Sequence, residues 1–470
     1  MSSSSLLLFA IALTLSCARP ASKDVRVPTR SQPAPALSFS ECDAERGFDV
    51  VHHSVDLTLA IAPPSLSGSG DLQLRATRDT GVVVLDANHL AIGAVSLAGK
   101  PLPFRVKDER LCALLEKPVR KGSSIELHVT WRGATDRDTP HFSPSDVWGG
   151  YLTSAWMPTL QDPAQRATLA LRVSAPPALR VAASGRRASE SAAAGGAALA
   201  VHSFVLDVPT PPFLYAFAAG MFHEEDLDAG GVALRALGPE GTDLKPALRA
   251  TAASLAFLQA HTGSPLPAAE YTQVFVSGDA AQEAAGLSLL GASSVDDLKR
   301  DETDDWIFTH ELAHEWFGIS IPCADFADFW LNEAFATYFV AATKEDRWGR
   351  AAYDGEMKNF RARSAKAHAA GKDAPIALSN PDGSLSRPVA ESDLQARGVT
   401  YFRGALVLDK LRREIGDDAF WNGIRKYTRD RAGKGARTSD LRMAFESSSG
   451  RDLESFFATW VYRAAPGISE

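Results

Sequence analysis

The chain has 470 residues, 45% of them hydrophobic and 23% charged, which is enough apolar material for full cores in two or three domains and too much for a disordered chain. Its 49 Lys and Arg stand against 57 Asp and Glu for a net charge of -8, and no basic block occurs anywhere, which argues against a nucleic-acid partner. No stretch reaches the ~18 consecutive apolar residues of a membrane-spanning helix, so an integral channel or transporter is excluded.

Residues 6–15 (LLLFAIALTL) have the length of a signal-peptide core, and Cys17 after Ser16 is similar to the processing site of bacterial lipoproteins. The expectation is an exported, cell-envelope protein with residues 1–17 as the signal and a lipid on Cys17 as its membrane contact. Ordinary secretion with cleavage near Ala18 is the alternative. Residues 18–40, rich in Pro and Ser, read as a semi-extended tether. Besides Cys17 the chain has Cys42, Cys112 and Cys323. Cys42 and Cys112 share the β-rich part and are the pair expected to bridge, while Cys323 reads as a small core thiol.

Residues 41–225 are a series of short alternating or β-branched runs (VHHSVDLTLAI, DLQLRAT, VVVLDA, SIELHVTW, ATLALRVSA, HSFVLDV, FLYAFAAG) separated by Gly, Pro, Ser and Asp, the pattern of an antiparallel β domain. The Ala-rich stretch 192–200 reads as a hairpin between two of them. After a break near 226–231, apolar spacing predicts a helix over 243–261, strands over 271–277 and 287–291, and helices over 304–317, 330–346, 349–369, 399–428, 438–448 and 452–462. The fold class is therefore α+β, with residues 226–470 as a mostly helical second domain.

In TDDWIFTHELAHEWFG, His310, Glu311 and His314 form HExxH. Residues four apart on a helix are offset by about 40° around the axis and about 6 Å along it, so both imidazoles can reach one cation. Glu311 stands beside such a cation rather than on it, as a general base would. In a second apolar-periodic helix, WLNEAFATYF, Glu333 follows His314 after 18 intervening residues and completes a two-His, one-Glu donor set. Three donors and an open position are the arrangement of a catalytic zinc; a structural one closes the shell. Trp316, Phe317, Trp330 and Phe335 read as core around these helices.

HELAHEWFG followed by WLNEAFATY resembles the zinc site of the aminopeptidase N and leukotriene hydrolase family, the gluzincins with HExxH-x18-E. WMPTLQDP (156–163), Tyr401 in TYFRGALVLDKL and FFATWVYRAAPG near the C-terminus are similar to further family segments in the same order, so the resemblance runs over about 45–468. It implies a thermolysin-like zinc peptidase domain behind an N-terminal β domain, one Zn2+ on His310, His314 and Glu333, and hydrolysis of peptide substrates from their free amino end. Glu311 is implied as general base, Tyr401 as hydrogen-bond donor to the developing oxyanion, and Glu283 as the group that holds the substrate amine.

Two departures stand out. Where the family has GAMEN this chain has AAQEAAG (280–286), keeping Glu283 but with Gln282 and Ala284 beside it, and Gly149 occupies the place of a second amine-binding residue. The chain also ends after the catalytic domain, which implies an open cleft. A zinc endopeptidase that has lost amine recognition, and a non-catalytic zinc-stabilised surface module, are the competing expectations.

Overall fold

The computed structural model describes residues 39, 42, 46–191, 199–372, 374–385 and 398–464, all within one compact unit spanning Leu37–Glu470. The expected signal, Cys17 and most of the tether lie outside the described residues. Among the described residues no helix is long and apolar enough to cross a membrane.

The first part of the chain is built on an eight-stranded sheet in the order Arg186–Ser191, Ala200–Thr210, Ala167–Ala175, Phe48–Ala60, Ser65–Ala76, Ser124–Arg132, Ala91–Leu97, Lys100–Pro101. Alternation along Phe48–Ala60 turns Val55, Leu57 and Leu59 into the core and Asp56 and Thr58 out. All neighbours run antiparallel except Phe48–Ala60 and Ala167–Ala175, which are parallel. A three-stranded sheet (Thr80–Asp86, Arg110–Val119, Phe104–Lys107) and a four-stranded one (Arg180–Ala183, Phe217–Gly220, Asp146–Gly149, His141–Phe142) accompany it. Trp131 and Trp156 lie buried in the shared core, and Trp131 Nε1 donates to the Trp156 carbonyl at 2.7 Å. Cys42 and Cys112 form the expected disulfide. Strands Arg186–Ser191 and Ala200–Thr210 pair antiparallel as the hairpin reading requires, and residues 192–198 between them lie outside the described residues.

Several expectations are corrected. In FLYAFAAG only Phe217–Gly220 is strand, because Pro211 and Pro212 start a 3₁₀ turn over Pro212–Leu214. The break near 226–231 is a hairpin turn: Phe222–Asp228 pairs with Ala233–Pro239, and Gly230 and Gly231 take the positive φ values of 69° and 91° that the reversal needs. These two strands open a five-stranded sheet continued by Glu270–Val276, Leu287–Gly291 and the edge strand Ala281–Ala284.

Helices α1 (Lys245–Thr262), α2 (Ser293–Arg300), α3 (Trp306–Ala313), α4 (Trp330–Trp348), α5 (Arg350–Ala369), α6 (Gly404–Ile415), α7 (Asp417–Arg431), α8 (Thr438–Ser449) and α9 (Glu454–Trp460) follow. The helix expected over 304–317 is the shorter α3. His314 is its C-terminal flanking residue and keeps helical angles (φ -61°, ψ -22°), so the i, i+4 spacing survives. The single helix expected over 399–428 is a π-helical turn, Gly398–Arg403, then α6 and α7, divided at Gly416 with φ 83°. Helix α2 was not foreseen because only Val295 and Leu298 of its eight residues are buried, too few to set a period.

Helix α4 is buried on every face, with every residue from 330 to 344 covered, so it forms the axis of the second part. Gly404 at the start of α6 lets the backbones meet: a Cβ there would lie 2.5 Å from the Ala334 Cβ of α4. Gly404→Val is therefore expected to cost about 1–3 kcal/mol by overpacking and to reduce activity with it, measured by chemical denaturation alongside peptide hydrolysis. A variant with wild-type stability would show that this close approach does not hold α6 to α4.

Candidate active site

The two helices expected to carry donor groups cross so that His310 and His314 of α3 meet Glu333 in the first turn of α4. His310 Nε2 and His314 Nε2 are 3.3 Å apart, and Glu333 Oε2 lies 3.4 Å from the first and 3.5 Å from the second. All three residues are buried, with exposures of 3%, 1% and 2%. A tetrahedron with metal–ligand bonds of about 2.1 Å has edges of about 3.4 Å, so the triangle has the size of one face of a zinc coordination shell. Glu333 Oε2 is buried and has no hydrogen-bond partner among the described residues. The donor set thus fits a divalent ion that takes nitrogen and oxygen ligands.

The surroundings prepare the donors. His314 Nδ1 donates to the Phe317 carbonyl at 2.9 Å, which puts the proton on Nδ1 and leaves Nε2 as the free lone pair. The turn that allows this ends at Gly318, φ 132°, where a Cβ would sit 3.2 Å from His314 Nδ1. Trp306, one turn before His310, stacks on its ring at 4.3 Å. Asp305 just ahead of α3 pairs with Arg347 of α4 and ties the two helices together.

Electrostatically the cleft is a negative cage. Burial works to lower the pKa of His314, but the carboxylates of Glu333, Glu283 and Glu311 overcome it and push it up. Burial likewise works to raise Glu333, and the facing imidazoles hold it below the usual carboxylate range. Such a site favours a bound cation.

The six residues given a metal, catalytic or amine-binding role in the sequence line one cavity of about 250 Å³: His310, His314, Glu333, Glu311, Glu283 and Tyr401. The Tyr401 ring, from the turn before α6, lies 5.8 Å from His310 and nearly parallel to it. Carboxylate oxygens of Glu283 and Glu311 lie within 4.8 Å of each other and of a His314 ring nitrogen. Glu283 comes from the edge strand Ala281–Ala284, opposite Ser288. Cys323 is buried and free, as expected of a core thiol, and burial pushes its pKa up. Trp316, Phe317, Trp330 and Phe335 are core.

Sequence reading noted Gln282 only as a departure beside Glu283 and gave no role to Tyr151, Phe213, Trp306, Phe326 and Phe329, which also line the cavity. Only Trp306 carried a local signal, its spacing of four from His310 on one helix face. Gly149 is held by packing, since a Cβ would lie 2.7 Å from the Phe217 ring and 2.9 Å from that of Trp156. A side chain there would have to displace these rings.

Residues 247–460 match the family model described as the peptidase family M1 domain, a stretch that contains all six of these residues. In fold, the chain is similar to an M1 zinc metallopeptidase from Deinococcus radiodurans, with 26% identity and a TM-score of 0.72 over 90% of this chain and 96% of that one. Residues 247–460 thus match a peptidase family M1 domain. A mutant of the same Deinococcus M1 protein, bound to a Tyr-Ser-Ala substrate, is similar at 26% identity with a TM-score of 0.71, covering 90% of this chain and 96% of that one. Aminopeptidase N of Streptomyces lividans is 33% identical over 165 residues, 34% of this chain and 18% of the relative, and aminopeptidase N of Lactococcus lactis 30% over 158 residues, 33% and 18%. The matched stretch is thus under one fifth of these relatives' own length.

The purified protein is expected to contain one zinc per molecule by elemental analysis. Glu333→Ala is expected to lose it, with affinity reduced roughly 100-fold or more on removal of a donor. Chelation should lower the melting temperature of the wild-type protein and leave that of Glu333→Ala unchanged. Full zinc content in Glu333→Ala would remove Glu333 from the donor set.

Proposed function

We propose that this chain is a zinc-dependent aminopeptidase that removes single residues from the amino end of peptides. The observation that carries the reading is the short reach from Glu283 to Glu311, within 4.8 Å between carboxylate oxygens. The amine nitrogen and carbonyl carbon of one residue are about 2.5 Å apart, and a second residue would add ~3.3–3.6 Å. A substrate whose ammonium meets Glu283 therefore offers its first peptide bond, and no later one, to a water held by Glu311. The Tyr-Ser-Ala substrate of the Deinococcus M1 mutant supports peptides as the substrate class.

His310, His314 and Glu333 would hold the zinc ion, which when bound supplies Lewis acidity toward the scissile carbonyl and an attacking water. Glu311 takes the proton of that water and passes it to the departing amine. Tyr401 donates its hydroxyl hydrogen to the carbonyl oxygen as negative charge develops there. Glu283 accepts from the substrate ammonium, a charge-assisted contact that an N-blocked peptide cannot make.

Glu311→Gln is expected to keep its zinc while kcat falls roughly 10²–10⁴-fold, the usual worth of a positioned general base. Tyr401→Phe should lose about 10²-fold in kcat with little change in KM. Free-amine peptides should be cleaved far faster than their N-acetylated forms, and equal rates would replace the aminopeptidase reading with that of an endopeptidase. We further propose export to the cell envelope with a lipid on Cys17, supported by the apolar run 6–15 and Ser16–Cys17. Cys17→Ala should then abolish metabolic incorporation of labelled palmitate; an unlabelled wild-type protein would rule the anchor out.

A further inference from the structure

Gln282 is 4% exposed, yet it lines the cleft next to Glu283. Its Nε2 donates to the Glu283 main-chain carbonyl at 2.7 Å and to Glu283 Oε2 at 2.8 Å. Both partners are acceptors, so the amide has one orientation only, nitrogen toward Glu283 and Oε1 away from it. Oε1 is then left buried with no hydrogen-bond partner among the described residues. A buried amide oxygen without a donor weakens the fold. The cross-strand neighbour of Gln282 is Leu289, and Gly150 leaves room for its stem, since a Cβ there would sit 3.1 Å from Gln282 Cγ. An apolar side chain of equal length would suit the position better on stability alone. What the amide adds is its bond to the carboxylate of Glu283.

The same strand is held at a second point. Tyr151 adopts φ 53°, unusual for a residue with a Cβ, and its hydroxyl donates to the Ala281 carbonyl at 2.7 Å. Backbone and side chain of 281–283 are thus both held by groups that are not themselves aimed at a metal.

We infer that Gln282 is a positioning residue for amine recognition: its side-chain amide holds the Glu283 carboxylate in the orientation that receives the substrate ammonium. The inference rests on the amine-binding role proposed for Glu283.

The test compares wild type, Gln282→Met, Gln282→Leu and Glu283→Gln on matched fluorogenic peptides with free and N-acetylated amino ends, with melting temperatures recorded for each. Gln282→Met and Gln282→Leu should raise KM for the free-amine peptide roughly tenfold, in line with a lost hydrogen bond to a charged group. The preference for the free-amine over the acetylated peptide should fall by about the same factor, and the melting temperature should rise or hold as the unpaired oxygen is removed. If Glu283→Gln erases the preference for free amines while both Gln282 variants keep the wild-type KM, the positioning role alone is overturned. If Glu283→Gln keeps that preference, the amine reading itself falls and this inference with it. A lower melting temperature with parallel losses on both peptides would mark Gln282 as merely structural and overturn the inference too.

Discussion

Two imidazoles and a carboxylate held within 3.5 Å of one another in a buried cleft are the constraint on which the rest of the second part depends. Like-facing lone pairs in such a space repel, and a buried carboxylate without a partner is costly, so the arrangement is stable only against a cation or a shared proton. The features around it keep the donors from drifting apart. Helix α4 is packed on every side, Asp305 and Arg347 bind α3 to α4, and Gly318 allows the turn that orients His314. Gly404 lets α6 settle against α4 close behind Tyr401.

The five-stranded sheet supplies the opposite wall. Its edge strand Ala281–Ala284 brings Glu283 to the donors, while Tyr151 and Phe213 from the earlier β part close the cavity. The cleft is therefore assembled from segments more than two hundred residues apart in the chain, and its polar end is set by how that strand is held. Gly149 and Gly150 show the same economy in reverse: one leaves room for the rings of Phe217 and Trp156, and the other yields space to Gln282.

What could be read before the fold was known follows from local geometry. The apolar period of α1, α4 and α5 and the alternation of the long strands are short-range signals, and they were legible. Misreadings fell where a short-range signal was absent or overridden. Helix α2 is mostly polar, Gly416 interrupts a continuous period between α6 and α7, and Pro211 and Pro212 turn an apolar run into a 3₁₀ corner. The parallel pairing of Phe48–Ala60 with Ala167–Ala175 joins strands over a hundred residues apart, which no local pattern encodes.

The amino-acid sequence by itself determined the donor types and the helix face that presents His310 and His314, because a four-residue spacing on a helix has one geometric outcome. Through family resemblance it also pointed to Glu283 and Tyr401. Tertiary structure alone decided that Glu333 closes the triangle at 3.4 and 3.5 Å, that Cys42 meets Cys112, and that Gln282 turns its amide toward Glu283. Those distances depend on how packed helices cross and how sheet edges are buttressed, which is settled by the sum of many side-chain contacts across the core and not by any run of neighbouring residues.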